Sequence, residues 1–128
     1  MTFKELENNQ IKRTIEWNEV RGNSTDTLDW NLEIDMLQEE LSELKLAVEK
    51  SSNVDIFDAL LDLKFVLIGS LGKMGLSYKD VINGYEFVLQ KNETKSKTKD
   101  SSGKITKPIG FVGPEKDLQK ILESRNIS

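Results

Sequence analysis

Between Asp55 and Leu71 the chain reads Asp-Ile-Phe-Asp-Ala-Leu-Leu-Asp-Leu-Lys-Phe-Val-Leu-Ile-Gly-Ser-Leu, and no other stretch restricts the fold as strongly. At about 100° per residue, Asp55, Asp58 and Asp62 fall within about 60° of one another, and Phe65, Gly69 and Gly72 continue that face. The rest of the helix is nearly all apolar. A helix apolar on all sides belongs in a core. Carboxylates on such a helix need partners, because an unpaired buried charge is costly or forces a shift in its pKa. A second acidic group precedes it, Glu39-Glu40-Leu41-Ser42-Glu43. The apolar stripe expected for that helix is Ile34, Leu37, Leu41, Leu44 and Val48. Glu40 and Glu43 fall with Met36 and Ala47 at its edge, and Glu39 lies further toward solvent. The basic residues expected nearby are only Lys45 and Lys64, and Glu33 and Asp35 read as solvated. Four or five acids facing one another in a bundle call for a divalent cation, and hard oxygen ligands suit Mg²⁺, with Mn²⁺ the alternative.

Two residue types are missing altogether. Without cysteine there is no disulfide framework and no thiolate site. Without histidine there is no imidazole base and no Ser/His or Cys/His arrangement. Any catalysis has to run on carboxylates, amines and metal. Acids outnumber bases 22 to 18, which argues against a general nucleic-acid coat. No N-terminal segment has a signal-peptide layout. The longest apolar run, Ala59 to Leu71, is interrupted by Asp62, Lys64, Gly69 and Ser70, too short and charged to span a bilayer. A cytoplasmic protein with no membrane partner is the expectation.

The chain is expected to form a single all-α domain over residues 1–128. A first amphipathic helix is predicted from about Thr2 to Val20, then a loop over 21–26. The second helix opens at Trp30, capped by Thr27 or Asp29, and runs to about Lys50. Asn53 is the expected cap of the third, which ends at Gly75. Ser77-Tyr78-Lys79-Asp80 resembles a capping box for a fourth helix ending near Asn92. Residues 93–113 form a basic loop or small hairpin around Asp100-Ser101-Ser102-Gly103. Pro114 suits the start of a short last helix over 114–125, with Leu118, Ile121 and Leu122 as its apolar face. The fold class is therefore an antiparallel bundle of four to five helices with a short hairpin-like basic tail.

These residues resemble the MazG-like, all-α nucleoside triphosphate pyrophosphohydrolase superfamily, in a phage and bacterial branch related to dimeric dUTPases and phosphoribosyl-ATP pyrophosphohydrolases. The superfamily carries Glu-x-x-Glu on one helix and Glu-x-x-Asp on the next, holding Mg²⁺. Glu40-Leu41-Ser42-Glu43 matches the first part, preceded by Glu39. Asp62, followed at a distance by Gly75, sits where the second signature ends, but the Glu three before it is Ala59 here. Asp58 is the expected stand-in, since i and i+4 share a face as i and i+3 do. A register reading Asp55-Ile56-Phe57-Asp58 as the signature fails in its spacing to Gly75. In the tail, Asn92 to Lys95, Asp100 to Pro108 and Phe111 to Glu115 are similar to the same branch. The resemblance covers roughly Trp30 to Pro114.

The resemblance implies hydrolysis of a nucleoside triphosphate between the α and β phosphates. It implies metal ligation by Glu40, Glu43, Asp58 and Asp62, and substrate contacts from Asn92 and Lys95. With no histidine, Glu39 or Glu43 has to handle the attacking water. Asp55 reads as a helix N-terminal acid favoured by the dipole. Trp17 and Trp30 read first as core residues, with base stacking as the alternative, and Trp30 is kept as a candidate substrate contact. A homodimer or homotetramer is expected. Two readings from other classes stand beside this one. The first is a non-catalytic helical protein whose acids pair with a partner chain. The second is a nucleic-acid module using the lysines after Asn92.

Overall fold

The computed structural model describes residues 1–128 and contains five α-helices, one 3₁₀ turn and no strand. It divides into two compact units, Met1–Tyr78 and Lys79–Ser128. No helix is long and apolar enough to cross a membrane.

The first unit holds α1 (Phe3–Val20), the 3₁₀ turn (Thr25–Thr27), α2 (Trp30–Glu49) and α3 (Asn53–Lys73). Each start has a local cause. Thr2 and Glu5 form a capping box at α1. The Asp29 side chain accepts from the Asn31 amide at 3.0 Å. At α3 the cap is Ser52, whose hydroxyl accepts from the Asp55 amide at 3.4 Å, and Asn53 is already helical. The sequence placed that cap one residue late because Ser and Asn are about equally good caps and the two are adjacent. Gly75, at φ +98°, follows the last turn of α3 and supplies the left-handed backbone there.

Only Lys50, Ser51 and Ser52 join α2 to α3, so the two helices fold back on each other as an antiparallel hairpin. The residues that α2 buries differ from the predicted stripe. Glu33 and Ala47 are buried and Leu37, Glu40 and Leu44 half-buried, whereas Ile34, Leu41 and Val48 are exposed. That set repeats every three or four residues, the seam of two helices packed side by side. The predicted stripe straddles the seam and an outward face. The same correction applies to α3, which a single chain does not enclose: Phe57, Leu60, Leu61 and Leu67 are all exposed.

Glu33 is the largest departure from expectation. It is 1 % exposed. Its carboxylate accepts from Lys73 Nζ at 3.0 Å on each oxygen and from the Ser70 hydroxyl at 2.8 Å. Glu33, expected to be solvated, is therefore buried against Lys73, and a pair forty residues apart leaves no local pattern in the sequence.

α1 lies on α3 where that helix offers small residues. A Cβ at Gly72 would sit 3.0 Å from Ile15, and one at Gly69 would sit 2.9 Å from the Asn18 amide nitrogen. Trp17 packs edge-on to Phe65 at 5.2 Å and stays 42 % exposed, with the Arg21 guanidinium over its ring. The face of α3 that bears the aspartates thus continues into the seat of α1, while Asp55 and Asp58 remain open to solvent.

The second unit contains most of α4 (Tyr78–Glu93), a turn-rich segment and α5 (Glu115–Ser124). Gly84 of α4 lies under Leu118 and Ile121 of α5. Arg125 grips Asp80 with hydrogen bonds that include ones of 2.7 and 3.2 Å. Between the helices, Lys99 and Ile105 form one antiparallel bridge. The turn between them is tied by Asp100, which accepts from the Ser102 and Lys104 amides at 2.8 and 3.1 Å.

Candidate metal centre

The acid site is built on the α2–α3 hairpin. Glu40 and Glu43 are one turn apart on α2, and Asp62 faces them from α3. One oxygen from each carboxylate lies within 4.8 Å of the other two. Glu40 and Asp62 are half-buried and Glu43 is exposed, so the group opens to solvent on one side. No lysine or arginine forms an ion pair with any of the three. Lys73, the buried cation of this hairpin, is already engaged by Glu33.

The electrostatics follow from that shortage. Burial holds the Glu40 carboxyl above the usual carboxylate range, and the charge of Glu43, a hydrogen bond shared with it, Asp62 and Glu39 add to the shift. Asp62 is raised by burial, then by Asp58 and Glu43. Glu40 Oε2 is buried with no hydrogen-bond partner at all. A buried acceptor without a donor is uncommon and asks for an explanation, of which an ion is one. Three carboxylates converging on such an atom fit a hard divalent cation, with Mg²⁺ or Mn²⁺ suited to an all-oxygen set.

The other candidates fall at varying distances from this group. Glu39 is exposed on α2 next to Glu40. Asp58 is exposed one turn before Asp62, close enough to raise it. With Asp55, Lys50, Glu43, Ala47 and Ala59 it lines a cavity of about 220 Å³ beside the trio. A larger cavity of about 370 Å³ lies elsewhere, among Lys12, Asn18, Ser24 and Tyr78, and includes none of the candidate site residues. Trp30 is 49 % exposed at the first position of α2, about 15 Å along the helix from Glu40. Asn92 and Lys95 belong to the second unit. Asn92 donates to the Val88 carbonyl at 2.8 Å. The Lys95 and Lys107 ammonium groups lie 5.8 and 5.5 Å from the centre of the Phe111 ring. Nothing in the sequence marks Phe111 as a partner of both lysines, because cation–π contacts have no fixed spacing.

A helical hairpin presenting three convergent carboxylates, one with an unsatisfied buried oxygen, defines an all-α protein with a candidate divalent-cation site between two helices. Comparison with known families agrees. The model for phosphoribosyl-ATP pyrophosphohydrolase matches residues 9–86, and the chain belongs to that family, within the MazG-like all-α nucleoside triphosphate pyrophosphohydrolase superfamily. The matched residues contain the whole trio and most of α4, and stop short of Asn92 and Lys95. No curated protein matches the chain.

Proposed function

We propose that this chain is a Mg²⁺-dependent nucleoside triphosphate pyrophosphohydrolase, cleaving its substrate between the α and β phosphates to a monophosphate and pyrophosphate. The observation that carries the reading is the trio, with Glu40 Oε2 buried and unpaired, in a chain of the pyrophosphohydrolase family. Glu40, Glu43 and Asp62 would hold the cation, with Asp58 in place of the Glu that Ala59 lacks. Bound there, the ion supplies Lewis acidity and offsets the charge of the phosphate oxygens.

The chain's own residues then divide the remaining work. Glu39 is exposed beside the trio and is not one of its members, so it is free to accept a proton from the attacking water; Glu43 is the alternative. The water oxygen forms a new bond to phosphorus, the α–β bridging bond breaks, and the proton passes to the carboxylate as pyrophosphate leaves. Asn92 and Lys95 contact the sugar and phosphates in this reading, and Trp30 offers the base a stacking surface. Charge-assisted contacts of this kind are the strong ones. The exposed apolar residues of α2 and α3, among them Leu41, Val48, Phe57 and Leu61, support a homodimer or a dimer of dimers.

The test is a panel of nucleoside triphosphates and phosphoribosyl-ATP with Mg²⁺, scored for pyrophosphate and for inorganic phosphate separately. Pyrophosphate release in equal amount to monophosphate supports the proposal. Phosphate release alone, or no turnover on any substrate, contradicts it.

A further inference from the structure

We infer that Glu33 and Lys73, with Ser70, are positioning residues: their buried contact sets the register of α2 on α3 and thereby holds Glu40 and Glu43 opposite Asp62. The inference rests on the metal-site reading above, and on geometry that reading does not use.

The contact joins the first turn of α2 to the last turn of α3, at the open end of the hairpin. The closed end is fixed by its three-residue link, where Ala47 and Ala59 are each buried. The trio lies between these two anchors. Glu43 is about three turns beyond Glu33 on α2, and Asp62 is about three turns before Lys73 on α3, so both runs from the contact to the trio have the same length.

The rest of the seam is permissive. Leu37, Leu44 and Ala47 on one side and Ala59 and Val66 on the other are half-buried or buried, and such residues pack acceptably after a shift of one turn. The charges do not. A one-turn slip would bring Leu37 to Lys73, separate two buried ions, and carry Asp62 past Glu43 toward Ala47. Specifying register is the best-attested use of a buried polar contact, and a buried ion pair is otherwise no better than well-packed apolar residues. Glu33 is 1 % exposed at a seam position, where an apolar residue is the usual occupant. Ser70 completes the arrangement by giving Glu33 Oε1 a second donor.

The test removes the pair and then restores it reversed. One variant carries Glu33→Leu with Lys73→Met, and the other Glu33→Lys with Lys73→Glu. The chain has no cysteine, so two introduced at the exposed positions Asp35 and Lys64 take spin labels uniquely and report the α2–α3 distance. Mn²⁺ is titrated in parallel by calorimetry, and helicity and urea midpoint are recorded for each protein. We expect the apolar pair to fold with a midpoint at or above the wild type. Its label distance should broaden or shift by about 5 Å, one helical turn, and its Mn²⁺ affinity should fall about ten-fold or more. The reversed pair should recover a single distance and Mn²⁺ affinity. If the apolar pair does not fold, Glu33→Gln keeps the volume and the Ser70 contact while uncoupling the charges, and the same broadening is expected of it. A single wild-type distance in the pair-removed protein overturns the inference, whatever Mn²⁺ does. If the wild type binds no Mn²⁺ but the distances change as expected, the metal reading fails and the register inference stands.

Discussion

Glu40→Gln should make the metal-free protein more stable, which is unusual for a substitution at a half-buried position. The three carboxylate oxygens lie within 4.8 Å of one another. At that separation two unit charges repel by about 1 kcal/mol at a dielectric of ~80 and about 3.5 kcal/mol at ~20. Glu43 is exposed and the group opens to water, so the lower end applies to each pair. Removing the charge of Glu40 eliminates two of the three repulsions and relieves the burial of an ionised group. Against this stands the cost of desolvating a neutral amide, which is partly offset because the new amide can donate to Glu43. A net gain of about 1–2 kcal/mol in urea denaturation, or roughly 2–8 °C in Tm, is expected with a chelator present. The pH dependence follows from the direction of the shifts. Glu40 and Asp62 are raised, so the folded state holds their protons more tightly than the unfolded chain does. Their contribution to stability is fully present below the ordinary carboxylate values and is lost as pH rises through the raised ones. The advantage of Glu40→Gln should therefore be full near neutral pH and shrink on acidification into the ordinary carboxylate range. A loss of metal-free stability in Glu40→Gln near pH 7 would refute this reasoning, because it would mean that the carboxylate makes a stabilising contact within the fold.

The opposite outcome is expected at the open end of the hairpin. Lys73→Met leaves Glu33 buried with only Ser70 as donor, and should cost about 3–5 kcal/mol in urea melts; wild-type stability would show that the pair is not buried in solution. If Lys95 holds the substrate phosphates as proposed, Lys95→Ala forfeits a charge-assisted contact of about 1.5–3 kcal/mol, and kcat/KM on the best nucleotide should fall roughly ten- to a hundred-fold with Mn²⁺ binding unchanged. Unaltered kinetics would remove Lys95 from the substrate site. Light scattering should give two or four times the 14.6 kDa of one chain, and a monomer at micromolar concentration would contradict the reading of the exposed α2 and α3 faces.

Much of this molecule is legible in its local chemistry. Caps, glycines and short links delimit the helices within a residue or two, because those signals act over one turn. The trio was also accessible. Glu40 and Glu43 are spaced to share a face, and Asp62 lies on the aspartate-bearing face of the next helix. What the sequence concealed was non-local. The Glu33–Lys73 contact joins residues forty apart, and neither stands out among a chain's many charges. Apolar content alone pointed to α3 as an enclosed helix, yet Phe57, Leu60 and Leu61 are exposed in the single chain. Hydrophobicity records that a face wants cover without saying which chain provides it. Asp58 shows a further limit. A helical wheel puts it on the face of Asp62, but the structure leaves it exposed at a cavity edge, where it raises its neighbour's pKa.

Direct titration of Mn²⁺, followed by the loss of its free-ion paramagnetic resonance signal, tests the central claim that the three acids hold a divalent cation. Wild-type protein and Asp62→Asn are compared at equal concentration near neutral pH, with circular dichroism showing that both are folded. The account predicts saturable Mn²⁺ binding by the wild type, competed by Mg²⁺ and abolished or weakened at least about ten-fold in Asp62→Asn. Equal Mn²⁺ binding by the two proteins, or none by the wild type, would contradict it.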